Sequence, residues 1–192
     1  MKLQFEWDHD RTSDARDRVL DRAVRLGGAE IVRWLAQLAM TDPSSGARAA
    51  SALGRIADPR AADQLLRLAR SDASPLVRAQ AAHALGASGR PAHAAALAGL
   101  VEDSAQPLRV REACAFALAR IGDAEVVPAL GRALDAAATM EDAPEGESLR
   151  VAIVEALGHI GSESAREFLR RHGARALGEA ERTAVEQALR SR

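Results

Sequence analysis

The segment Val77-Arg78-Ala79-Gln80-Ala81-Ala82-His83-Ala84-Leu85-Gly86 contains an Ala-Leu pair that recurs along the chain. The other copies are Ala52-Leu53, Ala117-Leu118, Ala156-Leu157 and Ala188-Leu189. Their leucines lie 32, 33, 39 and 32 residues apart. A period of this length is typical of repeat proteins, in which each unit buries its apolar face against its neighbours. The chain of 192 residues is therefore predicted to be a repeat protein.

Further columns of residues precede each repeated leucine at helical spacing. Four residues before it stand Ala49, Ala81, Cys114, Ile153 and Val185, and eight before it stand Ser45, Val77, Val110, Leu149 and Glu181. These spacings place the columns on one helix face. The small alanine beside each leucine predicts a close approach of neighbouring backbones. Ser45 and Glu181 are polar near the two ends of the array, which predicts that those faces meet water.

Turn signals divide each repeat into two helices. Asp58-Pro59 and Ser74-Pro75 are typical helix starts, and Gly89, Gly122 and Gly161 are typical helix stops. The first helices are predicted at 13–26, 44–56, 75–87, 107–121 and 148–160, with a last helix at 179–190. The second helices are predicted at 29–40, 59–71, 91–102, 124–137 and 163–172, aligned on Leu35, Leu65, Leu97, Leu130 and Leu169.

The predicted fold class is all-α, an α-solenoid of about five helix-turn-helix units and a C-terminal half-unit. Residues 1–12 are expected to be an N-terminal tail, and 13–192 a single repeat domain. Within that domain we expect a capping pair at 13–40, repeats at 43–172 and a capping helix at 179–192. The insertion at 138–147 is rich in acidic residues and is predicted to be a mobile loop.

Composition favours some classes of function over others. Acidic and basic residues number 27 and 26, so the strong positive field that non-specific nucleic-acid or anionic-membrane binding requires is not expected. A single cysteine, Cys114, indicates a reducing compartment, and the first residues do not resemble a signal peptide. We expect a cytoplasmic protein. The use of arginine with only one lysine, Lys2, suggests a GC-rich bacterial genome.

The segment around Leu85, with its copies at 110–123 and 149–161, resembles repeats of the HEAT-repeat superfamily. It is most similar to the short bacterial HEAT-like repeats of the phycobiliprotein-lyase type, and the resemblance covers roughly residues 43–190. It implies a curved right-handed superhelix with first helices on the convex side and second helices lining a concave groove. It also implies a binding scaffold, since function in such stacks depends on what the groove displays.

The resemblance further implies a ladder of Arg and Asp side chains that link neighbouring units in a structural role. The positions that match are Arg78, Arg111, Arg150, Arg182, Asp58 and Asp123. The ladder is incomplete, because Gly46, Arg90 and Ser162 stand where the family has Arg or Asp.

The sequence offers little that indicates catalysis. None of the five histidines, His9, His83, His93, His159 and His172, is followed by Glu as in the di-iron hydroxylase of this superfamily. His83 and His159 are expected to be solvated, and Cys114 to be a packing residue. We predict no enzyme activity, no metal and no cofactor. A nucleic-acid-binding or base-repair protein, and a subunit of a bilin-lyase-like enzyme, remain alternatives.

Two columns of the second helices are expected to face the groove and bind another protein, through an acidic or amphipathic segment. They contain Trp34, Gln37, Gln64, Arg67, Ala96, Gly99, Arg132, Phe168 and Arg171. Aromatic and Arg side chains at the ends would anchor a partner, while the Ala and Gly positions let a backbone approach. In the open alternative, Trp34 closes the N-terminal cap and Phe168 fills a gap. The oligomeric state stays open.

Overall fold

The computed structural model describes residues 2–9, 12–139, 144–173, 175 and 178–190. All regular elements in this part of the chain are helical. The chain divides into two compact units, Met1–Ala84 and Leu85–Arg192. None of the helices in the described ranges is both long enough and apolar enough to cross a lipid bilayer.

The first unit contains six helices, the last of which ends beyond the unit boundary. They are α1 (Lys2–His9), α2 (Ser13–Leu26), α3 (Gly28–Thr41), α4 (Gly46–Gly54), α5 (Pro59–Ser71) and α6 (Pro75–Ser88). The first helices α2 and α4 contact each other, as do the second helices α3 and α5. Helix α3 also packs on α4, so the unit has two layers.

The second unit repeats this arrangement. Its helices are α7 (Ala94–Glu102), α8 (Leu108–Ile121), α9 (Val127–Ala138), α10 (Pro144–Ile160), α11 (Glu163–Gly173) and α12 (Glu179–Arg190). Short 3₁₀ turns at Pro91–His93 and Ala124–Val126 lead into α7 and α9. Helices α8, α10 and α12 form one layer, and α7, α9 and α11 form the other.

The helix boundaries follow from the turn signals in the sequence. The Asp58 carboxylate accepts a hydrogen bond of 2.9 Å from the Arg60 N–H, and Pro59 occupies the first turn of α5. Gly122 ends α8 in the left-handed conformation, with φ 73° and ψ 19°, and its N–H donates to the Leu118 carbonyl at 3.0 Å. Both are the capping arrangements that the sequence predicted.

The repeated leucines form the core of both layers. Leu53, Leu85, Leu118 and Leu157 of the first helices are completely buried. The second-helix leucines are buried as well, namely Leu35, Leu65, Leu97, Leu130 and Leu169. The two predicted leucine columns are therefore confirmed, except that Leu189 at the end of the first-helix column is half-buried.

The repeated Ala-Leu pair, with the glycine that follows it in three copies, forms the contact between successive first helices, which we call the seam. A Cβ atom placed on Gly54 would lie 2.6 Å from the Ala84 Cβ, and one placed on Gly158 would lie 2.6 Å from the Ala188 Cβ. In the second unit the same construction on Gly86 would meet the Ala117 Cα at 2.6 Å. Each of these glycines thus lies against the alanine of the next repeat, at a distance that leaves no room for a methyl group.

Two expectations about the chain's organisation differ from the structure. Residues 2–9, expected within a tail, form α1, whose Leu3 and Trp7 are buried. The acidic insertion is shorter as a loop than expected, because α9 continues to Ala138 and α10 already begins at Pro144. Residues 140–143 lie outside the described residues.

Ser45 and Glu181 were expected to face water, and this prediction was wrong. Ser45 is 2% exposed and Glu181 is completely buried. Ser45 lies at the turn between α3 and α4, where its hydroxyl accepts a hydrogen bond from Arg16 Nη1 at 3.3 Å. Glu181 contacts Arg150 of α10 and His172 of α11. Each polar group therefore has an internal partner in place of water.

Candidate functional site

In the first unit, α1 contacts one of the predicted groove residues. Trp34 of α3 lies edge-to-face against the buried Trp7, with ring centroids 6.0 Å apart. Its indole N–H donates to the Gln4 side chain, and the Arg16 guanidinium lies 4.7 Å from the centre of the Trp7 ring. Trp34 therefore helps to hold α1 in place.

The other predicted groove residues of this unit lie on α3 and α5. Gln37 and Arg67 are exposed, and Gln64 is half-buried. The contact between α3 and α5 brings the two helices side by side. These residues lie on the second-helix layer, where they were predicted.

In the second unit, the second helices α7, α9 and α11 present what we call the second-helix surface, the exposed and half-buried residues of these three helices. Its α7 part is almost bare: Ala95 and Gly99 are exposed and Ala96 is half-buried. A Cβ placed on Gly99 would meet no atom within 4 Å. The surface at α7 is therefore open to the close approach of another backbone.

Arg132 on α9 contributes the central cation of this surface. Its Nε and Nη2 donate to the Glu102 carboxylate of α7 at 3.1 and 2.9 Å. The hydrogen bonds and the charge of Glu102 raise the pKa of Arg132. Because the guanidinium is 64% exposed, water screens this pair, and the Glu102 carboxylate can be exchanged for another carboxylate.

An aromatic residue and several cationic groups lie at the α11 part of the surface. Phe168 lies over Gly131 of α9, where an added Cβ would be 2.7 Å from the Phe168 Cε2 atom. Its ring stacks on His172, with centroids 6.0 Å apart and an angle of 9° between planes. A cavity of about 180 Å³ opens here, lined by Asp135, Phe168, Arg171, His172 and Arg175. The exposed Arg171 is 3.9 Å from the Glu167 carboxylate.

In the predicted ladder, Arg111 binds the end of a neighbouring helix. The Arg111 side chain of α8 is buried, and its Nε donates to the Val101 carbonyl at the end of α7, at 2.8 Å. Burial lowers the pKa of Arg111, and the nearby negative charge of Asp103 opposes this shift. The guanidinium therefore satisfies a carbonyl that α7 itself leaves without a donor.

Arg150 has the same role in the next repeat and is part of a charged cluster. Its Nη1 donates to the Ala137 carbonyl of α9 at 3.1 Å, and its Nε donates to Glu181 of α12 at 3.0 Å. The other Glu181 oxygen is 2.6 Å from His172 Nε2. The side chains of Arg150, Glu181 and His172 are 2%, 0% and 9% exposed, respectively. This cluster, which we call the Arg150 cluster, joins α9, α10, α11 and α12.

The remaining ladder positions behave differently. Arg78 is half-buried and Arg182 is exposed. Asp58 caps α5, and the Asp123 carboxylate accepts from the Glu125 N–H at 3.0 Å in the turn before α9. Both aspartates thus cap helices or turns, and Asp58 also pairs with the Arg60 guanidinium, while Arg111 and Arg150 bind backbone carbonyls.

The cysteine and the histidines that were candidates for catalysis lie in surroundings that fit a structural role. Cys114 is buried, and burial raises the pKa of its thiol to about 12. His83 and His159 are exposed, as predicted. No group of three or more His, Cys, Asp or Glu side chains is placed to hold a metal ion within the described ranges.

Sequence analysis missed His172 as the partner of Glu181 and Arg175 as part of the Phe168 cavity. The signal for His172 was available, because it follows Phe168 by one helical turn. Arg175 follows the end of α11, where helical periodicity no longer gives its direction.

The two layers of paired helices and the repeated seam define an α-solenoid protein. Three overlapping matches to the family profile described as HEAT repeats cover residues 31–109, 68–140 and 106–190. These matches span most of the chain, so the protein belongs to the HEAT-repeat family. The predicted resemblance is confirmed.

The chain is similar to several solved structures, and those with TM-scores above 0.5 show the same fold. The complex of CpcE and CpcF of phycocyanin lyase from Nostoc sp. PCC7120 is 21% identical, with a TM-score of 0.59 over 82% of this chain and 96% of that chain. An engineered protein is 19% identical, with a TM-score of 0.55 over 99% and 96%. Human deoxyhypusine hydroxylase is 21% identical over 97% and 93%, with a TM-score of 0.42. No curated protein matches the sequence.

Proposed function

We propose that the protein is a non-enzymatic scaffold or adaptor that binds a segment of a partner protein on the second-helix surface of residues 85–192. The segment is acidic or amphipathic. The observation that carries the proposal is the combination of the half-buried Phe168, held over Gly131, with the exposed Arg171 beside it. An aromatic side chain and an arginine in one place are typical anchors of protein interfaces.

The small residues on the surface of α7 favour a peptide segment as the partner over a large, flat protein surface. Because Ala95 and Gly99 leave the helix backbone uncovered, an extended or helical segment can lie close to α7 while its ends reach α9 and α11. HEAT repeats make the protein a helical repeat scaffold, and the CpcE and CpcF neighbour is itself a complex of two proteins. Both support a protein partner.

The chemistry of the polar side chains supports a non-enzymatic role. Arg150, Glu181 and His172 satisfy one another inside the unit. The Cys114 thiol stays protonated at neutral pH because its pKa is raised to about 12, so it is a poor nucleophile. A buried thiol kept reduced also supports the proposed cytoplasmic location.

Nucleic-acid binding is the main alternative, and the surface favours it less. Glu102 is paired with Arg132, and Glu167 lies near Arg171, so carboxylates accompany both cations. A polyanion would have to approach these carboxylates, while a peptide carboxylate can replace one of them. A titration with duplex DNA at two salt concentrations distinguishes the classes, because phosphate contacts give a steep salt dependence.

The test is a charge reversal, Arg132→Glu with Arg171→Glu, followed by co-purification from the native host. We expect the proteins that co-purify with the wild-type chain to be lost. The matched control is Arg109→Glu with Arg120→Glu, which makes the same change in charge on exposed positions of the first helix α8. Equal recovery with wild type and with the reversal variant, or equal loss in both double variants, would contradict the proposal.

A further inference from the structure

A crevice in the first unit lies between α1 and α2 and has an apolar floor. Its volume is about 560 Å³, and the buried Ala15 and Val19 lie in its lining. Phe5 also lines it, with 62% of its surface exposed and its ring stacked on His9 at 3.9 Å between centroids. Sites for ligands have volumes of about 300–1,000 Å³. This N-terminal crevice, as we call it, can therefore accept an apolar side chain.

Three arginines follow one face of α2 along the crevice. Arg18, Arg22 and Arg25 are spaced by four and three residues, so they project from neighbouring turns of the same face. The middle one is neutralised, because Arg22 Nη1 donates to both Glu6 oxygens at 2.8 and 2.9 Å. The two outer arginines, Arg18 and Arg25, are not neutralised in this way.

Arg18 and Arg25 are exposed and have no hydrogen-bond or ion-pair partner among residues 2–9, 12–139, 144–173, 175 and 178–190. Asp21, the remaining carboxylate of the lining, already accepts from Arg55 at 2.7 Å. Seven residues of helix separate the two outer arginines by about 10.5 Å along the axis. The rim therefore presents two available cations at the spacing of two helical turns.

Positive and negative charges around the crevice are equal in number, and this favours a partner with a few carboxylates over a polyanion. The basic residues of α1 and α2 are Lys2, Arg16, Arg18, Arg22 and Arg25, and the acidic ones are Glu6, Asp8, Asp14, Asp17 and Asp21. No net positive field is available to attract a nucleic acid or an anionic bilayer. Two discrete carboxylates, placed to match Arg18 and Arg25, fit this surface better.

We infer that the N-terminal crevice binds an amphipathic acidic helix of a partner protein. Two carboxylates seven residues apart on that helix pair with Arg18 and Arg25, and an apolar side chain between them enters the crevice between Phe5 and Val19. This is the helix-in-groove mode, in which residues one and two turns apart serve as anchors. The inference concerns the first unit alone and is independent of the proposed function on residues 85–192.

The probe is a fluorescein-labelled synthetic peptide of about 20 residues, long enough to form a helix. It has Glu at two positions seven residues apart and Leu four residues after the first Glu. Anisotropy titration with the full-length chain is expected to show saturable binding. Arg18→Ala with Arg25→Ala should weaken it about tenfold, and Phe5→Ala at least about threefold. The control, Arg33→Ala with Arg70→Ala, removes the same net charge from exposed sites and should change the affinity less than twofold.

Several results would overturn the inference. One is equal affinity of the wild-type protein for a second peptide in which Lys replaces both Glu residues. Another is unchanged binding by the Arg18→Ala, Arg25→Ala variant. Tighter binding of duplex DNA, or of anionic phospholipid vesicles, in competition with the acidic peptide would assign the crevice to a polyanion and would also overturn it. Since no variant here changes Arg132 or Arg171, failure of this test is distinguishable from failure of the proposed function.

Discussion

Replacing Glu181 with alanine removes the only carboxylate of the Arg150 cluster and is the sharpest test of how the last repeat is held. Arg150 is 2% exposed and Glu181 is completely buried, so water cannot reach the guanidinium that remains. It would keep its bond to the Ala137 carbonyl and lose the 3.0 Å bond to Glu181. Breaking one partner of a buried ion pair costs about 3–5 kcal/mol. We expect Glu181→Ala to lower the free energy of unfolding by that amount.

The measurement is urea unfolding at pH 7 followed by circular dichroism, together with the melting temperature. For a chain of this size the expected loss corresponds to a fall in Tm of about 6–20 °C. Glu186→Ala is the matched control, because Glu186 lies on the same helix, is 67% exposed and pairs with the exposed Arg190. That variant should change stability by no more than about 0.5 kcal/mol.

Glu181→Gln gives a second reading of the same contact. The amide keeps the shape and one hydrogen-bond acceptor but removes the charge, so its cost should lie between those of the two alanine variants. If Glu181→Ala and Glu186→Ala were equally stable within about 1 kcal/mol, the assignment of a buried pair would be refuted.

Two further predictions concern the seam and the thiol. Gly86→Ala should destabilise the protein by about 1–2 kcal/mol, because the new methyl would meet Ala117 Cα at 2.6 Å. Gly99→Ala, where no atom lies within 4 Å of the new methyl, should stabilise it by about 0.5–1 kcal/mol. Urea unfolding of both variants measures these changes, and two shifts of the same sign would contradict the close contact at Gly86. Cys114 has a folded pKa of about 12 against an ordinary value near 9, so the unfolded chain releases the thiol proton first, and stability should fall by up to about 1.4 kcal/mol per pH unit between pH 9 and 12. Cys114→Ala should lack this part of the pH dependence, and alkylation of native Cys114 at pH 8 should be slow; rapid alkylation of the folded protein would contradict the raised pKa.

Much of the architecture was predictable because the repeats share the same spacing of leucines and similar residues at the helix ends. The spacing of Leu53, Leu85 and Leu118 gave the repeat length, and all three are buried. Asp58-Pro59 and Gly122 gave helix ends that agree with the structure to within a residue or two. Periodicity, capping and glycine stops depend on neighbours within one or two turns, so a sequence displays them directly.

The candidate site was predictable only in part. Gly99, Arg132 and Arg171 lie on the second-helix layer, where alignment of the repeats placed them. The partners of these residues were not predictable, because Glu102 reaches Arg132 from a different helix and Phe168 packs over Gly131. Trp34 was expected in the groove, but its ring contacts Trp7 of α1.

By itself, the sequence determined the class of fold, the number and order of the repeats, and the small residues that line the seam. Only the tertiary structure decided whether polar residues in apolar columns face water or an internal partner, as Ser45 and Glu181 illustrate. It also decided that residues 2–9 form a helix and that Arg18 and Arg25 remain available beside an apolar crevice. The physical reason is that a polar side chain is stable wherever its hydrogen bonds and charge are satisfied, and the satisfying groups come from helices distant in the sequence.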